Sequence, residues 1–222
     1  MARVFHSLGN GTRLAIMVLL TNGEMNVGTI RKKLRLTAVT AAHHLSLLRQ
    51  GGMVVNRRDG HYVFYSRADL SKHRLGMKTE LTKRGSNAAK FGLMELAYPE
   101  KGQMVASRID KLEETARVFQ LLGEKNRFAI MGLLADSEMN VTTIHNTLDL
   151  PPSSMSCHLN LLRLGGLVVC RQDGKQRFYS HADLSKHRLG KKSELTKVGS
   201  NAARFGPVEL LLPKTPQHRH AV

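Results

Sequence analysis

Apolar and polar positions along the chain alternate with two periods, helical and then strand-like, and the same succession is written twice. Between Met25 and Leu36, Val27, Ile30 and Leu34 fall at i, i+3 and i+7, with Arg31, Lys32, Lys33 and Arg35 on the other face. That spacing predicts a helix with one core-facing stripe. Ahead of it, Ala2–Leu8 reads as a short apolar-faced segment ending at Gly9, and Thr12 is placed to cap a helix through RLAIMVLL. A fourth helix is predicted from Thr37, with Ala41, Leu45 and Leu48 as its core stripe and Gly51-Gly52 as its end. MVVNRRDGHYVFYS then gives two β-rich runs around Asp59-Gly60, a strong short-range hairpin signal.

Shifting the sequence by 114 positions lays Ala2–Leu96 on Ala116–Leu210 without a gap, at about 60% identity. Each copy, about 95 residues, has the length of a small domain. In the second copy the early helices recur at Ala116 and Asn126. Pro151, Pro152 and Ser153 supply the helix start, Met155, Leu159 and Leu162 the stripe, and LVVCRQDGKQRFYS the hairpin. The expected division is 1–70 and 115–184 as folded domains, 71–96 and 185–222 as basic repeated tails, and 97–114 as linker. Cutting near Gly102 is then expected to leave two folded halves.

Charge defines the partner class. The chain carries 34 Lys and Arg against 17 Asp and Glu, a net +17 with pI near 10.4. The surplus divides as +11 in residues 1–96, −1 in 97–115 and +7 in 116–222. Two basic copies joined by a neutral segment fit a polyanion, since each phosphate neutralised releases condensed counterions. No apolar run approaches the roughly 20 residues that span a bilayer, and the N-terminus lacks the pattern of a secretory signal. A cytoplasmic protein without a membrane partner is expected. Cys157 and Cys170 have His43 and Asn56 as counterparts, so no disulfide framework is repeated.

Helices followed by a basic-tipped hairpin predict a winged helix-turn-helix, with one helix in the major groove and the wing along the phosphates. The fold class expected is α+β, mainly helical: two tandem winged helix-turn-helix domains, each with a two-stranded wing. LGNGTRLAIMVLL with LTAVTAAHHLSLLRQGGMVVNRRDGHYVFYS resembles the ArsR/SmtB winged-helix repressors. LGEKNRFAIMGLL with LPPSSMSCHLNLLRLGGLVVCRQDGKQRFYS resembles a second member. Together these stretches cover about 60% of the chain. The resemblance implies a transcription regulator, a repressor, that reads double-stranded DNA as a two-fold pair, here supplied within one chain, with a homodimer of chains as the other arrangement.

The DNA-facing set expected in the first copy is Thr37, Val39, Thr40, Ala42, His43, His44 and Arg49 on the fourth helix and Arg57, Arg58 and His61 on the wing. In the second it is Ser153, Ser154, Ser156, His158 and Arg163, with Arg171, Gln172, Lys175 and Arg177. The family's base-contacting positions fall on Ala38, Val39, Ala42 and His43, and on Pro152, Ser153, Ser156 and Cys157. Few of these side chains form a bidentate bond to a base, so phosphate contacts and thymine methyls are expected to carry the affinity.

The chain departs from the family at its metal sites. Where metal-sensing members carry paired cysteines on the third helix, it has Asn26 and Gly28, and Asn140 and Thr142. The family's C-terminal helix, a metal site and much of its dimer interface, is replaced by ADLSKHRLGMKTELTKRGSNAAKFG and its repeat, basic and broken by glycines. Lys72, His73, Arg74, Lys78, Lys83 and Arg84, with Lys186, His187, Arg188, Lys191, Lys192 and Lys197, read there as a solvated run or as an arm on the DNA backbone. His181, Asp183 and His187 are the remaining metal candidates, better read as surface residues, so neither metal nor cofactor is expected. No nucleophile elbow, phosphate-cradling loop or carboxylate pair marks an enzyme. Two other readings stay open: an RNA-binding or nucleoid-associated protein, and a winged-helix protein-interaction module. Low aromatic content, 5% with no Trp, argues against single-stranded RNA.

Overall fold

The computed structural model describes residues 2–77, 87–91, 94–97, 109–135, 137–190, 201–205 and 208–212. The first copy runs α1 (Ala2–Leu8), α2 (Gly11–Leu19), β1 (Met25–Asn26), α3 (Val27–Leu34), α4 (Ala38–Gln50), β2 (Val54–Asp59) and β3 (Tyr62–Arg67). After a 3-10 turn at Leu70–Lys72 come β4 (Ala88–Phe91) and β5 (Met94–Ala97). The second copy repeats the order as α5 (Ile109–Leu122), α6 (Lys125–Leu133), β6 (Met139–Asn140), α7 (Val141–Leu148), α8 (Pro152–Leu164), β7 (Val168–Asp173) and β8 (Gln176–His181). It ends with a 3-10 turn at Leu184–Lys186, β9 (Asn201–Phe205) and β10 (Val208–Leu212). The architecture is α+β and mainly helical, two winged helix-turn-helix units in tandem.

Local chemistry explains most boundaries and corrects some expected ones. Asn10, not Thr12, caps α2, its side chain accepting from Arg13 N; Glu124 does the same for α6 from Arg127 N, so that helix starts at Lys125 and Asn126 lies inside it. Met25 and Asn26 are not helical: they pair with Tyr65 and Phe64 of β3, and Asn26 then caps α3. Each wing therefore has three strands, ordered β1-β3-β2 and β6-β8-β7. Thr37 caps α4 through Thr40 N, and the stripe of Ala41, Leu45 and Leu48 is fully buried. α8 starts on Pro151-Pro152 without a side-chain cap, and buries Met155, Leu159 and Leu162.

Buried Arg13 ties α2 to α1, its Nε and Nη2 donating to Ser7 O at 2.6 Å and His6 O at 2.8 Å. Arg127 makes the same bonds to Leu121 O and Gln120 O. The arginine common to both copies thus satisfies carbonyls at the end of the preceding helix, where a cation is favoured.

The described ends of the tails are built into the fold. Asn87 Oδ1 accepts from Leu70 N at 2.6 Å and its Nδ2 donates to Ala68 O at 3.1 Å, and Asn201 repeats this at 2.7 and 2.9 Å with Leu184 and Ala182. Each asparagine fastens the start of a hairpin to the end of the wing. The two hairpins join edge to edge in one four-stranded sheet ordered β4-β5-β10-β9. Lys78, Lys83, Arg84, Lys191, Lys192 and Lys197 lie outside the described residues.

That sheet relates the copies by a local two-fold. Leu96 pairs with Leu210, its own counterpart, while Ala97 pairs with Glu209 and Glu95 with Leu211. The helices repeat the reciprocity: a Cβ at Gly9 would lie 3.0 Å from Gln120 Cα, and one at its counterpart Gly123 would lie 2.8 Å from His6 Cα. Both α1 and α2 pack on α5, and Phe5 meets Phe128 with ring centroids 5.5 Å apart. Val4, Phe5 and Leu8 share one continuous core with Leu112, Phe119, Leu122 and Leu210. Halves cut apart near Gly102 would therefore each bare a face of this core, and remain folded only by reassociating. No helix of the described residues is long and apolar enough to cross a membrane.

Two glycines separate contact from propensity. Gly123→Ala drives a methyl into backbone and is expected to destabilise by about 1–3 kcal/mol. Gly132, inside α6, has open space around its Cα, and Gly132→Ala is expected to stabilise by about 0.5–1 kcal/mol. Urea titrations of the two variants check this, and equal effects would contradict the close crossing.

Candidate nucleic-acid interface

The buried stripe of α4 determines what its opposite face presents. Ala38, Val39, Ala42, His43 and Arg49 are exposed, Val39 by 81%, and Thr40 and Ser46 are half-buried. On α8 the exposed residues are Pro152, Ser153, Ser156, Cys157, Asn160, Arg163 and Leu164, with Ser154 half-buried. The structure thus gathers most of the expected set, without Thr37, His44 and His158, on one face of each helix. Thr37 Oγ1, bonded to Thr40 N and Oγ1, is committed to the cap.

His44 and His158 sit lower, half-buried, with their Nδ1 atoms inaccessible to solvent and without a hydrogen-bond partner. Burial, then Arg13 and His43, holds His44 below the ordinary imidazole range. His158 Nε2 lies 3.4 Å from Asn126 Nδ2, and its Nδ1 lies 3.7 Å from Glu124. Neutral small side chains and an apolar Val39 suit close approach to a groove wall and contact with thymine methyls.

In the wings, Arg57 and Arg171 are engaged within the protein. Arg57 bonds Glu24 through Nη2 and Nε at 2.5 and 3.0 Å and Asp59 at 3.0 Å, and lies over the Phe64 ring at 4.9 Å. Arg171 repeats this with Glu138, Asp173 and Phe178. The bond from Arg57 holds Glu24 below the ordinary carboxylate range. These arginines brace the base of the wing against the segment before α3. Arg58 and Gln172 instead bond only their own turn, to Gly60 O and Gly174 O. His61, Lys175 and Arg177 are exposed near the tips. In the second copy, α8 and the wing enclose a cleft of about 730 Å³ lined by Ser156, Cys157, Asn160, Arg163, Cys170 and Arg177 among others. Both cysteines are exposed thiols.

The remaining metal candidates do not converge. His181 Nε2 bonds Met131 O at 2.8 Å, His187 Nε2 bonds Gly165 O at 2.7 Å, and Asp183 accepts from Ser185. No group of three or more His, Cys, Asp or Glu able to hold a metal occurs among the described residues. His73 and His187 are stitches, missed by sequence reasoning. Each bonds the carbonyl of a helix-ending glycine, Gly51 or Gly165, and accepts from the backbone two residues on. Lys72 and Lys186 pair with Asp69 and Asp183, and Arg188 pairs with Glu114.

Comparison with known proteins gives the same outline. Residues 10–55 match the family model described as bacterial regulatory protein, arsR family, and residues 122–171 match a helix-turn-helix domain model. An HTH-type transcriptional regulator of Methanocaldococcus jannaschii is 36% identical over 76 residues, 34% of this chain and 85% of that protein. Transcriptional repressor SdpR of Bacillus subtilis is 32% identical over 66 residues, 30% of this chain and 73% of the repressor. Among solved structures, reduced HlyU from Vibrio cholerae is 30% identical over 30% of this chain and 70% of its own, with a TM-score of 0.29. Each of these matches is shorter than one copy.

The histidine stitch makes a pH prediction. His187 is held below the ordinary imidazole range, chiefly by burial. Its folded value lies below the unfolded one near 6.5, so the neutral ring contributes stability above that pH, lost as pH falls below it. Urea midpoints are expected to drop between about pH 7.5 and about pH 5.5, and His187→Gln should flatten that drop. An unchanged pH dependence in the variant would contradict the assignment.

Proposed function

The chain belongs to the arsR family of bacterial regulatory proteins and is a DNA-binding transcription regulator, and from that premise we propose that it acts as a covalent pseudo-dimer reading two unequal half-sites of one duplex. The observation that carries the reading is the pairing of Leu96 with Leu210, flanked by reciprocal partners on either side. An isologous contact of this kind presents two like surfaces about a two-fold, the symmetry that duplex half-sites share. Here the symmetry is approximate, because the reading faces differ: Val39, Ala42 and His43 in one, Ser153, Ser156 and Cys157 in the other.

Double-stranded DNA is the partner. The reading helices approach base edges, and half-sites about one helical turn, roughly 34 Å, apart suit such a pair. Arg58 and His61, with Lys175 and Arg177, contact phosphates from the wing tips, while Arg49 and Arg163 do so from the ends of the reading helices. Arg57 and Arg171 serve the interface indirectly, by holding the wings in place. With few side chains suited to bidentate base recognition, counterion release supplies much of the affinity.

A salt titration on DNA selected from a random pool tests this. Replacing Arg58, Lys175 and Arg177 by Ala together should flatten the slope of log affinity against log salt by about two to three. Arg57→Ala should weaken binding with a smaller change of slope than the triple variant, since Arg57 is bonded to Glu24 and Asp59 and holds the wing rather than meeting a phosphate. An unchanged slope in the triple variant would contradict the wing contacts.

A further inference from the structure

A groove on the first copy, at the C-terminal end of α4 and sharing Arg49 with its exposed face, has the build of a small-molecule site. It has a volume of about 970 Å³ and runs between α1, the C-terminal end of α4, the start of β2 and the segment Ala68–Leu75. Its exposed wall is mostly apolar, with Leu47, Val55 and Leu75 among the lining residues and buried Val4 and Val54 behind them. That size and character fit ligand sites, which run from about 300 to about 1,000 Å³ with a few placed polar groups.

The second copy provides an internal comparison. At three wall positions the groove is polar, Ser7, Gln50 and Asn56, where the second copy has Leu121, Leu164 and Cys170. The difference at Ser7 is steric as well: Leu121 brings an isobutyl group against Gly165 where Ser7 brings only a hydroxymethyl against Gly51. Ser7 spends its proton on Val4 O at 2.6 Å, leaving its oxygen able to accept.

The charges are one-sided. Arg3, Arg49 and Arg74 are exposed around the groove and have no carboxylate partner among the described residues. The one lining carboxylate, Asp69, is occupied by Ser71 and by Lys72 at 3.5 Å. Arg188, the counterpart of Arg74, is paired with Glu114. We propose that this groove binds a small organic anion, an apolar body bearing a carboxylate, with the body on the Leu47, Val55 and Leu75 wall and the carboxylate among Arg3, Arg49 and Arg74. The occupant would touch α1, which fixes the relation of the copies, and the end of α4, which carries one reading face. The site itself does not depend on the DNA-binding reading.

Binding is measured on the full chain without DNA, by fluorescence titration with anilinonaphthalene sulfonate, an apolar anion. One saturable site per chain is expected, displaced by octanoate and not by octylammonium. Ser7→Leu, which installs the side chain of the second copy, should weaken binding about tenfold. Arg74→Gln, a change at an exposed residue that leaves folding intact, should weaken it about threefold. Wild-type affinity in both variants, or displacement by octylammonium as readily as by octanoate, would overturn the proposal.

Discussion

The antiparallel pairing of β5 with β10 is the contact on which the rest of the molecule depends. A two-stranded hairpin alone is marginal in water, and β5 alone would leave a row of unpaired backbone groups on its edge. Joining the hairpins settles both problems at once, and buries Val208 to Leu212, a strand apolar at four of five positions. Because the pairing is reciprocal about Leu96 and its counterpart Leu210, the join imposes a two-fold on everything attached to it. Gly9 and Gly123 then permit the helices to approach to backbone distance across the same axis. The heads are thus two faces of one core rather than beads on a string.

Within each head, residues divide by whether they hold the frame or meet a partner. Glu24, Arg57, Asp59 and Phe64 form the wing brace, and their counterparts Glu138, Arg171, Asp173 and Phe178 are the same residues. At the tips, Arg58, His61 and Val63 become Gln172, Lys175 and Arg177. The reading faces likewise share almost nothing while their core stripes stay apolar. A duplicated frame carrying two different surfaces is what unequal half-sites require.

Much of this was legible in the sequence, and the limits have physical causes. The i, i+4, i+7 stripe of α4, its Thr37 cap and glycine end, and the Asp-Gly hairpin are all local signals, and they placed the helix, its buried side and the hairpin correctly. The 114-residue register announced the duplication. The shared sheet was not legible, because AAKFGLMELA carries no strong turn signal and its partner strand lies more than 100 residues away. Its basic neighbourhood and the family likeness both drew attention to a missing helix instead. Arg57 could be read as a cation but not as a spent one, since Glu24 lies 33 residues away along the chain. Its identity with Arg171, beside tips that vary, was the available signal. His44 fell on the expected helix, yet its position beside the Leu45 and Leu48 stripe turns it inward.

The central claim is that one chain does what two copies otherwise do. Its most direct test is the mass of the complex at equilibrium, by sedimentation or native mass spectrometry, on a selected duplex, together with the footprint of that same complex. One chain per duplex protecting two patches about a helical turn apart is the predicted result. Two chains per duplex, or a single protected patch under one chain, would contradict it.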